Sequence, residues 1–421
     1  MTSKAGISRR DRNIVRGLAR QVSELAARPS EAAKIAEWKR HNRFERGRAL
    51  LVVRLEDVWD EFVPVSSLAC ENECLRRAER ILRQRLYAAK HIRDDTPVDG
   101  GWDVCLRLAD PGYGFAEDCR QVAPGGWGRT GAKYYKVIPD GADPEKWIRD
   151  RELIIDRGGT ECEYELMCDV LGDIIPVSIR GKQGFWFTPV DTLAMLRGLE
   201  QFFLDMLDDP RWVHALLDRM TESDIHYARR AEQEGAVDLN SGQRGLAGGP
   251  ENFTDELPGE GYDGKHPRLV DMWALGAAQT FSEVSPAMHE EFATPYEARL
   301  LNMFGLTHYG CCEPLHNKIH IVRKLPRMRR VSMSPWVDWV VGAENLGREF
   351  IYSAKPNPAF LQGMGWDIDV PRRQIVTILE ACKANDCQLE FILNGTLTCR
   401  GEPHRYDQWT DMVQQLMQQY A

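Results

Sequence analysis

The sequence predicts an α/β protein: a (β/α)₈ TIM barrel with an N-terminal helical extension and insertions. Eight short runs rich in β-branched and other apolar residues have the length of buried strands, and most of them alternate with segments of helical period. The chain has 421 residues, enough for one barrel with insertions around a single core. We expect residues 1–47 to form the helical extension and residues 48–421 to form the barrel.

The composition is ordinary for a globular chain, with 43% hydrophobic and 28% charged residues. The net charge of -9 argues against nonspecific nucleic-acid binding, because phosphate contacts need a surplus of Lys and Arg on one face. The chain lacks both a long apolar run and a signal-peptide pattern, so we expect no membrane contact. Its 11 cysteines are an odd number without framework spacing, which predicts reduced thiols in the cytoplasm.

The extension and the first part of the barrel show helix and strand patterns in turn. Two surface helices are predicted at Arg10–Ala27 and Ser30–Arg46, the second with a serine as its N-cap. The first strand is Ala49–Leu55. A helix at Glu71–His91 follows and leads to the second strand, Trp102–Leu108.

A long Gly-rich insertion, Pro111–Gly131, follows the second strand. It has no clear period, so we expect it to be irregular. Long loops in compact domains often have a function, and we expect this one to fold over the mouth of a pocket. Disorder is the alternative, but the aromatic residues Trp127, Tyr134 and Tyr135 argue against it.

The middle of the chain returns to alternating strands and helices. The third strand is Ile174–Arg180, and two helices of strong apolar period follow at 192–206 and 210–234. The fourth strand, Ala236–Asn240, leads into a flexible stretch at 242–249. A Gly-rich run after a strand can bind an anion, but an ordinary surface loop is its more common meaning.

The last part of the chain supplies the other four strands. An amphipathic helix at 287–302 precedes the fifth strand, which starts at 303. The remaining predicted elements, in chain order, are strand Arg329–Ser334, strand Glu349–Ala354, helix Pro371–Asn385, strand Gln388–Asn394 and helix Arg405–Gln419.

The fifth strand ends in the densest group of reactive side chains in the chain. His308, Cys311 and Cys312 come first, with Glu313 beside them, and Pro314 predicts that a helix starts directly afterwards. Thiolates and imidazole suit Zn²⁺, and an open fourth position would make such a site catalytic. The alternative is that both cysteines are buried small hydrophobes, the commoner role of free Cys.

Other polar residues fall at the C-terminal ends of predicted strands, where the active site of a TIM barrel lies. The candidates for binding a cofactor or substrate are Arg54, Arg180, Asn240 and Asn394. A guanidinium group there suits a carboxylated or phosphorylated ligand, because it pairs with such groups through two hydrogen bonds. A surface ion pair is nevertheless the more common role of a single arginine.

Two sets of metal ligands compete around the cysteine motif. Cys312, His316 and His320 are spaced to share one helix face, but Pro314 indicates that Cys312 precedes the helix. The other set joins His308 and the motif cysteines to a distant thiol, for which Cys399 is best placed. We favour the second set because ligands from separate strand ends converge in a barrel.

Three segments resemble the uroporphyrinogen decarboxylase superfamily: Phe304–Leu315, Leu393–Thr396 and Glu200–Asp209. The resemblance covers most of residues 48–418. This superfamily includes the haem-pathway decarboxylase and zinc-dependent, corrinoid-linked methyltransferases. In those methyltransferases a His-x-Cys motif and a distant C-terminal Cys bind zinc, which activates a thiol acceptor.

The double cysteine resembles the methyltransferase branch more closely than the decarboxylases. The spacing from His308 to Cys311 is one residue longer here than in the methyltransferases. The decarboxylases have an arginine-rich motif where this chain has Val53–Asp57, and a late histidine where this chain has Asn394. The resemblance therefore implies methyl transfer, with a cofactor-free decarboxylase of the uroporphyrinogen type as the alternative.

From the resemblance we expect a zinc-dependent methyltransferase that moves a methyl group between a small methylated substrate or thiol and a corrinoid protein carrying methylcobalamin. A non-catalytic binding protein on the same scaffold is a further alternative, and a homodimer is a compatible assembly. Glu313 and Tyr309 are the expected catalytic side chains, and Trp186, Phe187, Tyr309 and Trp366 are expected pocket walls. The expected zinc ligands are His308, Cys311, Cys312 and Cys399.

Overall fold

A parallel sheet of seven strands forms the centre of the protein, with helices packed around it. The computed structural model describes residues 7–56, 58–121, 132–242 and 249–420. The strands are β1 (Leu50–Val53), β2 (Trp102–Cys105), β3 (Arg107–Ala109), β4 (Asp118–Gln121), β5 (Ala132–Tyr135), β6 (Ile154–Asp156), β7 (Val177–Arg180), β8 (Trp186–Phe187), β9 (Trp273–Gly276), β10 (Leu306–Tyr309), β11 (Met328–Met333), β12 (Ile351–Ala354) and β13 (Gln388–Leu393).

Helices occur in both the extension and the barrel region. They are α1 (Arg9–Ala26), α2 (Pro29–Asn42), α3 (Trp59–Phe62), α4 (Glu73–His91), α5 (Pro144–Trp147), α6 (Arg157–Leu171), α7 (Pro189–Arg197), α8 (Leu199–Asp208), α9 (Pro210–Gln233), α10 (Pro286–Phe292), α11 (Thr294–Leu301), α12 (Ile319–Val322), α13 (Trp339–Leu346), α14 (Ala359–Gln362), α15 (Asp369–Ala384) and α16 (His404–Gln419). None of the described helices is long and apolar enough to cross a membrane.

The order of the large sheet is β1-β13-β12-β11-β10-β9-β8, and its neighbouring strands are all parallel. Strands β2 and β7 form a separate parallel pair. A mixed α/β fold with a parallel sheet is therefore confirmed, and it is consistent with a TIM-like barrel. Within the described residues the barrel does not close, because β1 and β2 lie in different sheets.

Two aspartates occupy the edge of β1 that would otherwise pair with β2. The backbone N–H of Leu51 donates to the Asp95 carboxylate at 2.8 Å, and the N–H of Val53 donates to Asp94 at 2.9 Å. The backbone N–H of Asp95 donates back to the Leu51 carbonyl at 2.8 Å. These bonds satisfy the strand edge without a neighbouring strand, which is why the ladder stops there.

Seven of the eight predicted strands are present with shifted ends: β1, β2, β7, β10, β11, β12 and β13. The predicted strand Ala236–Asn240 is wrong, since only Val237 forms a single bridge, to Lys182. The Asn240 side chain replaces the ladder there. It donates to the carbonyls of Gln183 at 2.6 Å and Trp273 at 2.9 Å, and accepts from the Trp273 N–H at 2.8 Å.

Strand β9 takes the place in the sheet that the prediction gave to Ala236–Asn240. Its four residues are all buried and its sequence is Trp-Ala-Leu-Gly, too short and too poor in β-branched residues to give a strand signal. Its parallel partners are β8 on one side and β10 on the other. The tertiary pairing, rather than local propensity, makes this segment a strand.

The N-terminal extension contains the two predicted helices, but they are not simple surface helices. Helix α1 packs against α4 and α6 through buried side chains such as Val15 and Val22. Helix α2 begins at Pro29, in the favoured first position, and buries Trp38 and His41. The extension therefore shares its packing with the barrel region, and the boundary at residue 47 stays a prediction.

The insertion after β2 is more regular than predicted. Strands β4 and β5 form an antiparallel pair, and β3 pairs with β6 in the same way. Residues 122–131 of the predicted Pro111–Gly131 insertion lie outside the described residues, as do residues 243–248 of the predicted flexible stretch. Residues of β5 line a cavity, as described below.

Replacing Asn240 with alanine should destabilise the protein by about 2–4 kcal/mol, because it leaves buried backbone groups of β9 and of residue 183 without hydrogen-bond partners. Urea denaturation measures this free energy of unfolding. The matched control is Asn317→Ala at an exposed position. Equal stability of the two variants would contradict the bridging role of Asn240.

Candidate functional site

The chain turns sharply after β10 at Gly310, which has φ = +93°. A side chain there would place Cβ at 2.4 Å from Leu315 Cδ1 and 3.2 Å from Ser332 Cβ. Both the left-handed backbone and the lack of space favour glycine. The turn carries Cys311 and Cys312 directly past the C-terminal end of the strand.

Cys311 and Cys312 lie side by side, with their Sγ atoms 3.6 Å apart. Cys311 is 9% exposed, whereas Cys312 is open to solvent. The Cys311 carbonyl accepts from Lys355 Nζ at 3.1 Å and from Ser332 Oγ at 3.4 Å. The two thiols therefore lie at the end of β10, beside Lys355, which follows β12, and Ser332, which belongs to β11.

The two thiols differ in acidity. The hydrogen bond from Cys312 lowers the pKa of Cys311 to about 7, and the Lys355 ammonium acts in the same direction against the opposing effect of burial. The same hydrogen bond and burial raise the pKa of Cys312. At neutral pH Cys311 thus carries much of the thiolate and Cys312 remains the thiol that donates to it.

Glu313 is fully buried and holds the cysteine turn in place. Its Oε2 atom accepts from the backbone N–H of Cys311 at 2.9 Å, and its Oε1 atom accepts from the N–H of Ala278 at 3.0 Å. Ala278 belongs to the segment after β9. Both carboxylate oxygens are therefore engaged by backbone, and Glu313 acts here as a positioning residue for two segments.

A second buried carboxylate, Asp191, holds the same segment after β9. It accepts from the backbone N–H groups of Gln279 at 3.1 Å and Thr280 at 2.8 Å, and from the Thr280 hydroxyl at 2.8 Å. Burial and repulsion from Glu313 raise the pKa of Asp191 to about 6, in spite of these bonds. Lys318 completes the set by donating to the Phe281 carbonyl at 2.7 Å.

His308 is 3% exposed and lies beside two cations. Burial, together with Arg330 and Lys355, lowers the pKa of its imidazole well below the ordinary value, so the ring is neutral. Its Nε2 atom has no hydrogen-bond partner among the described residues. A neutral imidazole with a free nitrogen retains a lone pair, as a metal ligand requires.

Tyr309 is buried between β10 and helices α10 and α11. Its hydroxyl donates to Glu297 at 2.7 Å and contacts the His289 ring nitrogen Nε2 at 2.8 Å. Burial raises the pKa values of Tyr309 and Glu297 well above their ordinary ranges and lowers that of His289 to about 3. This group is neutral and enclosed, and it gives Tyr309 hydrogen-bonding partners on α10 and α11.

The predicted distant ligand, Cys399, has a different partner. Its thiol donates to Glu61 at 3.0 Å, and its backbone N–H donates to the same carboxylate. Burial and the Glu61 charge raise its pKa to about 12. In contrast to Cys311, this thiol is held in its neutral form.

The predicted zinc ligands fit one ion only in part. Two sulfurs bound to one tetrahedral Zn²⁺ lie about 3.8 Å apart, close to the 3.6 Å between Cys311 and Cys312. However, the described parts of the chain contain no group of three or more His, Cys, Asp or Glu side chains that could hold a metal ion. His320 is exposed on α12 and His316 precedes that helix, so the competing set is not assembled either.

The predicted helix directly after Pro314 is also wrong, since α12 begins only at Ile319. The intervening residues form turns. Glu313 and Lys318 both reach across to the segment after β9, at Ala278 and Phe281 respectively. These bonds hold both ends of the segment 313–318 against the segment after β9.

The remaining predicted binding residues are engaged within the protein or flank a strand. Arg54 donates to the Gly249 carbonyl at 2.7 Å and to Glu251 at 3.0 Å. Arg180 pairs with Asp103 at 3.2 Å and with Asp238 at 3.4 Å.

The two predicted asparagines have different surroundings. Asn240 joins residue 183 to β9 as described, and Asn394 is half-buried directly after β13. The structure thus brings together Cys311, Cys312 and Glu313, whereas Arg54, Arg180, Asn240 and Cys399 have other partners.

A cavity of about 860 Å³ adjoins this site. Trp186, a predicted pocket wall, lines it together with Asp191 and Thr280. The other predicted walls have different surroundings: Phe187 packs against Phe185 and Phe304, and Trp366 stands beside Arg405.

Comparison with solved structures finds a methyltransferase from Methanosarcina mazei. It is 12% identical, and the alignment covers 91% of this chain and 98% of that chain with a TM-score of 0.48. No protein-family model matches the sequence, and no curated protein matches it. A likeness at this identity and TM-score does not assign a function.

Asp191, Lys318 and Lys355 are the important side chains around the motif. The sequence patterns did not predict a role for Asp191 or Lys318. The first two brace the segment after β9, which the sequence did not identify as following a strand. The run Trp273–Gly276 is too short and too poor in β-branched residues to reveal this strand in the sequence. Without that strand, nothing in the sequence connects Asp191 with Glu313.

Replacing Cys312 with alanine should raise the pKa of Cys311 from about 7 toward its ordinary value of 9.0, because the hydrogen-bond donor is lost. The thiolate fraction at pH 7 should then fall from about one half to about one hundredth. The rate of Cys311 alkylation by iodoacetamide, followed by peptide mass spectrometry from pH 5 to 10, gives the midpoint. In the wild type the rate rises through pH 7, and in the variant it rises nearer pH 9.

The exposed Cys162, changed to alanine, is the control for this experiment. Its variant should leave the Cys311 midpoint unchanged. An unchanged midpoint in the Cys312→Ala protein would show that the neighbouring thiol does not set the acidity of Cys311.

Replacing Glu313 with glutamine should destabilise the fold by about 1–3 kcal/mol, because an amide nitrogen cannot accept from a backbone N–H and one buried donor loses its partner. Thermal or urea unfolding measures the effect, with the exposed Glu344→Gln as the matched control. A Glu313→Gln protein as stable as the control would mean that the carboxylate does not hold the two segments.

Proposed function

We propose that the protein is a methyltransferase that moves a methyl group between a small methylated substrate or thiol and a corrinoid protein, with Cys311 and Cys312 as its reactive centre. The observation that carries this proposal is the geometry at the end of β10, where the Cys311 and Cys312 Sγ atoms lie 3.6 Å apart and Lys355 Nζ donates to the Cys311 carbonyl at 3.1 Å. The hydrogen bond from Cys312 and the charge of Lys355 lower the pKa of Cys311. A thiolate at neutral pH is a strong nucleophile for a methyl carbon. The resemblance of the surrounding sequence to corrinoid-linked methyltransferases agrees with this chemistry.

In this proposal the Cys311 thiolate supplies the electron pair. A bond forms between the Cys311 sulfur and the methyl carbon as the bond from that carbon to the donor breaks, and the donor retains the bonding electrons. The acceptor then attacks the same methyl carbon, and the electrons of the carbon–sulfur bond return to Cys311 as the thiolate. Cys312 donates a hydrogen bond to the thiolate, and Lys355 places a positive charge near it. Glu313 fixes the backbone of Cys311, so the sulfur approaches the methyl carbon from a defined position.

Zinc is an untested part of the proposal. A zinc ion would act as a Lewis acid that keeps a sulfur deprotonated. The two adjacent sulfurs have a separation suited to one ion, and no step above depends on a metal. The decarboxylase alternative receives no support from Arg54 and Arg180, because both guanidinium groups bind carboxylates of the protein itself.

The test incubates purified protein with methylcobalamin and 2-mercaptoethanol and follows the loss of the methyl–cobalt absorbance. The wild type should accelerate demethylation at least ~100-fold over the Cys311→Ser variant, because serine is not ionised at neutral pH. The Cys162→Ser variant is the control and should retain full activity.

Elemental analysis of the same samples tests the metal. About one zinc per chain, lost in the Cys311→Ser variant, would support a zinc-bound pair. Demethylation of methylcobalamin by a zinc-free protein would support methyl transfer and contradict a role for the metal. Release of carbon dioxide from a porphyrinogen, with no demethylation of methylcobalamin, would replace methyl transfer with the decarboxylase alternative.

A further inference from the structure

The cavity of about 860 Å³ that Asp191 and Thr280 line has the dimensions of a small-molecule site. We call it the aromatic cavity. It lies at the end of β8, with walls from β5, α7 and the start of α8, and with the segment after β9 as one side. Its lining includes Lys133, Tyr135, Trp186, Asp191, Glu200 and Thr280.

The aromatic cavity and the thiol pair share one scaffold. Gln279 and Thr280 line the cavity, and the residue before them, Ala278, donates to Glu313. The other oxygen of Glu313 accepts from the N–H of Cys311. A ligand in the cavity therefore rests against the same short segment that fixes the reactive cysteine.

Aromatic surface is available inside this cavity. Trp186 is 46% exposed, although it belongs to a strand of the central sheet. The lining also includes the Tyr135 ring and the apolar side chains of Met195 and Leu199. A half-exposed indole facing a cavity favours a flat aromatic ligand, because offset stacking adds to the burial of apolar area.

One lysine of the lining, Lys133, is placed to meet an anionic group on that ligand. Two of the lining cations are engaged, since Lys136 binds Asp140 at 2.7 Å and Arg197 binds Asp205 at 2.7 Å. The ammonium of Lys133, which is exposed, lies 5.4 Å from the centre of the Tyr135 ring. It is therefore placed to approach an anion bound against that ring.

The two acids of the lining are placed differently. The Asp191 carboxylate accepts several hydrogen bonds from Gln279 and Thr280, which offset its charge. Glu200 is exposed at the beginning of α8. A cationic ligand drawn by Glu200 is the competing outcome, and the test below separates the two.

We propose that the aromatic cavity binds the small-molecule substrate of the transfer reaction, and that this substrate is an aromatic compound with an anionic substituent such as a carboxylate. The role of this compound as a substrate rests on the proposed methyl transfer. The binding itself does not depend on catalysis, so it can be tested separately.

The test measures binding by isothermal titration calorimetry with four probes: 4-methoxybenzoate, its neutral amide, cyclohexanecarboxylate and benzyltrimethylammonium. The first probe should bind at least ~10-fold more tightly than each of the others, through stacking and the Lys133 charge. Trp186→Ala should weaken its binding at least ~10-fold. Lys133→Gln should remove most of the preference for the carboxylate over the amide.

Helix α5 supplies matched controls for both substitutions. Trp147 is 37% exposed there, close to the exposure of Trp186, and Lys146 is exposed beside it. Trp147→Ala and Lys146→Gln should bind 4-methoxybenzoate as the wild type does. Loss of binding in the controls as well would overturn the assignment of these contacts to Trp186 and Lys133.

Binding is also measured with the Cys311→Ser variant, which should retain the wild-type affinity. Binding that is retained in the wild type, without any methyl transfer, would support the cavity as a ligand site and contradict the proposed function. Methyl transfer without binding of 4-methoxybenzoate at millimolar concentration would support the proposed function and contradict the proposed ligand site. Equal affinity for cyclohexanecarboxylate, or tighter binding of benzyltrimethylammonium, would overturn the proposed aromatic anion.

Discussion

The candidate site depends on one buried carboxylate that joins two neighbouring segments of the sheet edge. Strands β9 and β10 pair with each other, but the loops that follow them have no ladder to hold them together. Glu313 supplies the link by accepting from the N–H groups of Cys311 and Ala278. Each of these buried donors would otherwise cost about 1–3 kcal/mol, so the carboxylate ties the geometry of the thiol pair to that of the cavity.

Two buried cysteines show how the surroundings set the chemistry of one residue type. Cys311 has a thiol donor and an ammonium nearby, and its pKa is lowered to about 7. Cys399 donates to the Glu61 carboxylate, and its pKa is raised to about 12. Burial opposes ionisation in both cases, so the sign of the neighbouring charge and the direction of the hydrogen bond decide the difference. Of these two thiols, Cys311 is the one suited to nucleophilic or ligand chemistry at neutral pH.

A buried polar network connects the N-terminal extension to the central sheet. His41 of α2 contacts Glu390 of β13 at 3.1 Å, and Arg330 of β11 lies 3.6 Å from the same carboxylate. Arg330 also donates to the Asn252 side-chain amide oxygen at 3.1 Å and stacks over the Trp273 ring. Buried charges of this kind hold a specific arrangement more than they add stability, because desolvation offsets much of their attraction. They fix how the extension sits on the sheet.

The sequence by itself determined the local features of this protein: the parallel α/β class, seven strands and the motif in which Gly310 turns the chain into two cysteines and a glutamate. Apolar period and glycine stereochemistry are local, so they can be read from neighbouring residues. The tertiary structure alone decided that Asn240 replaces a strand, that β9 forms, that Cys399 pairs with Glu61 and that Asp191 approaches Glu313. These outcomes depend on hydrogen bonds and charges between residues far apart in the chain, which no local pattern encodes.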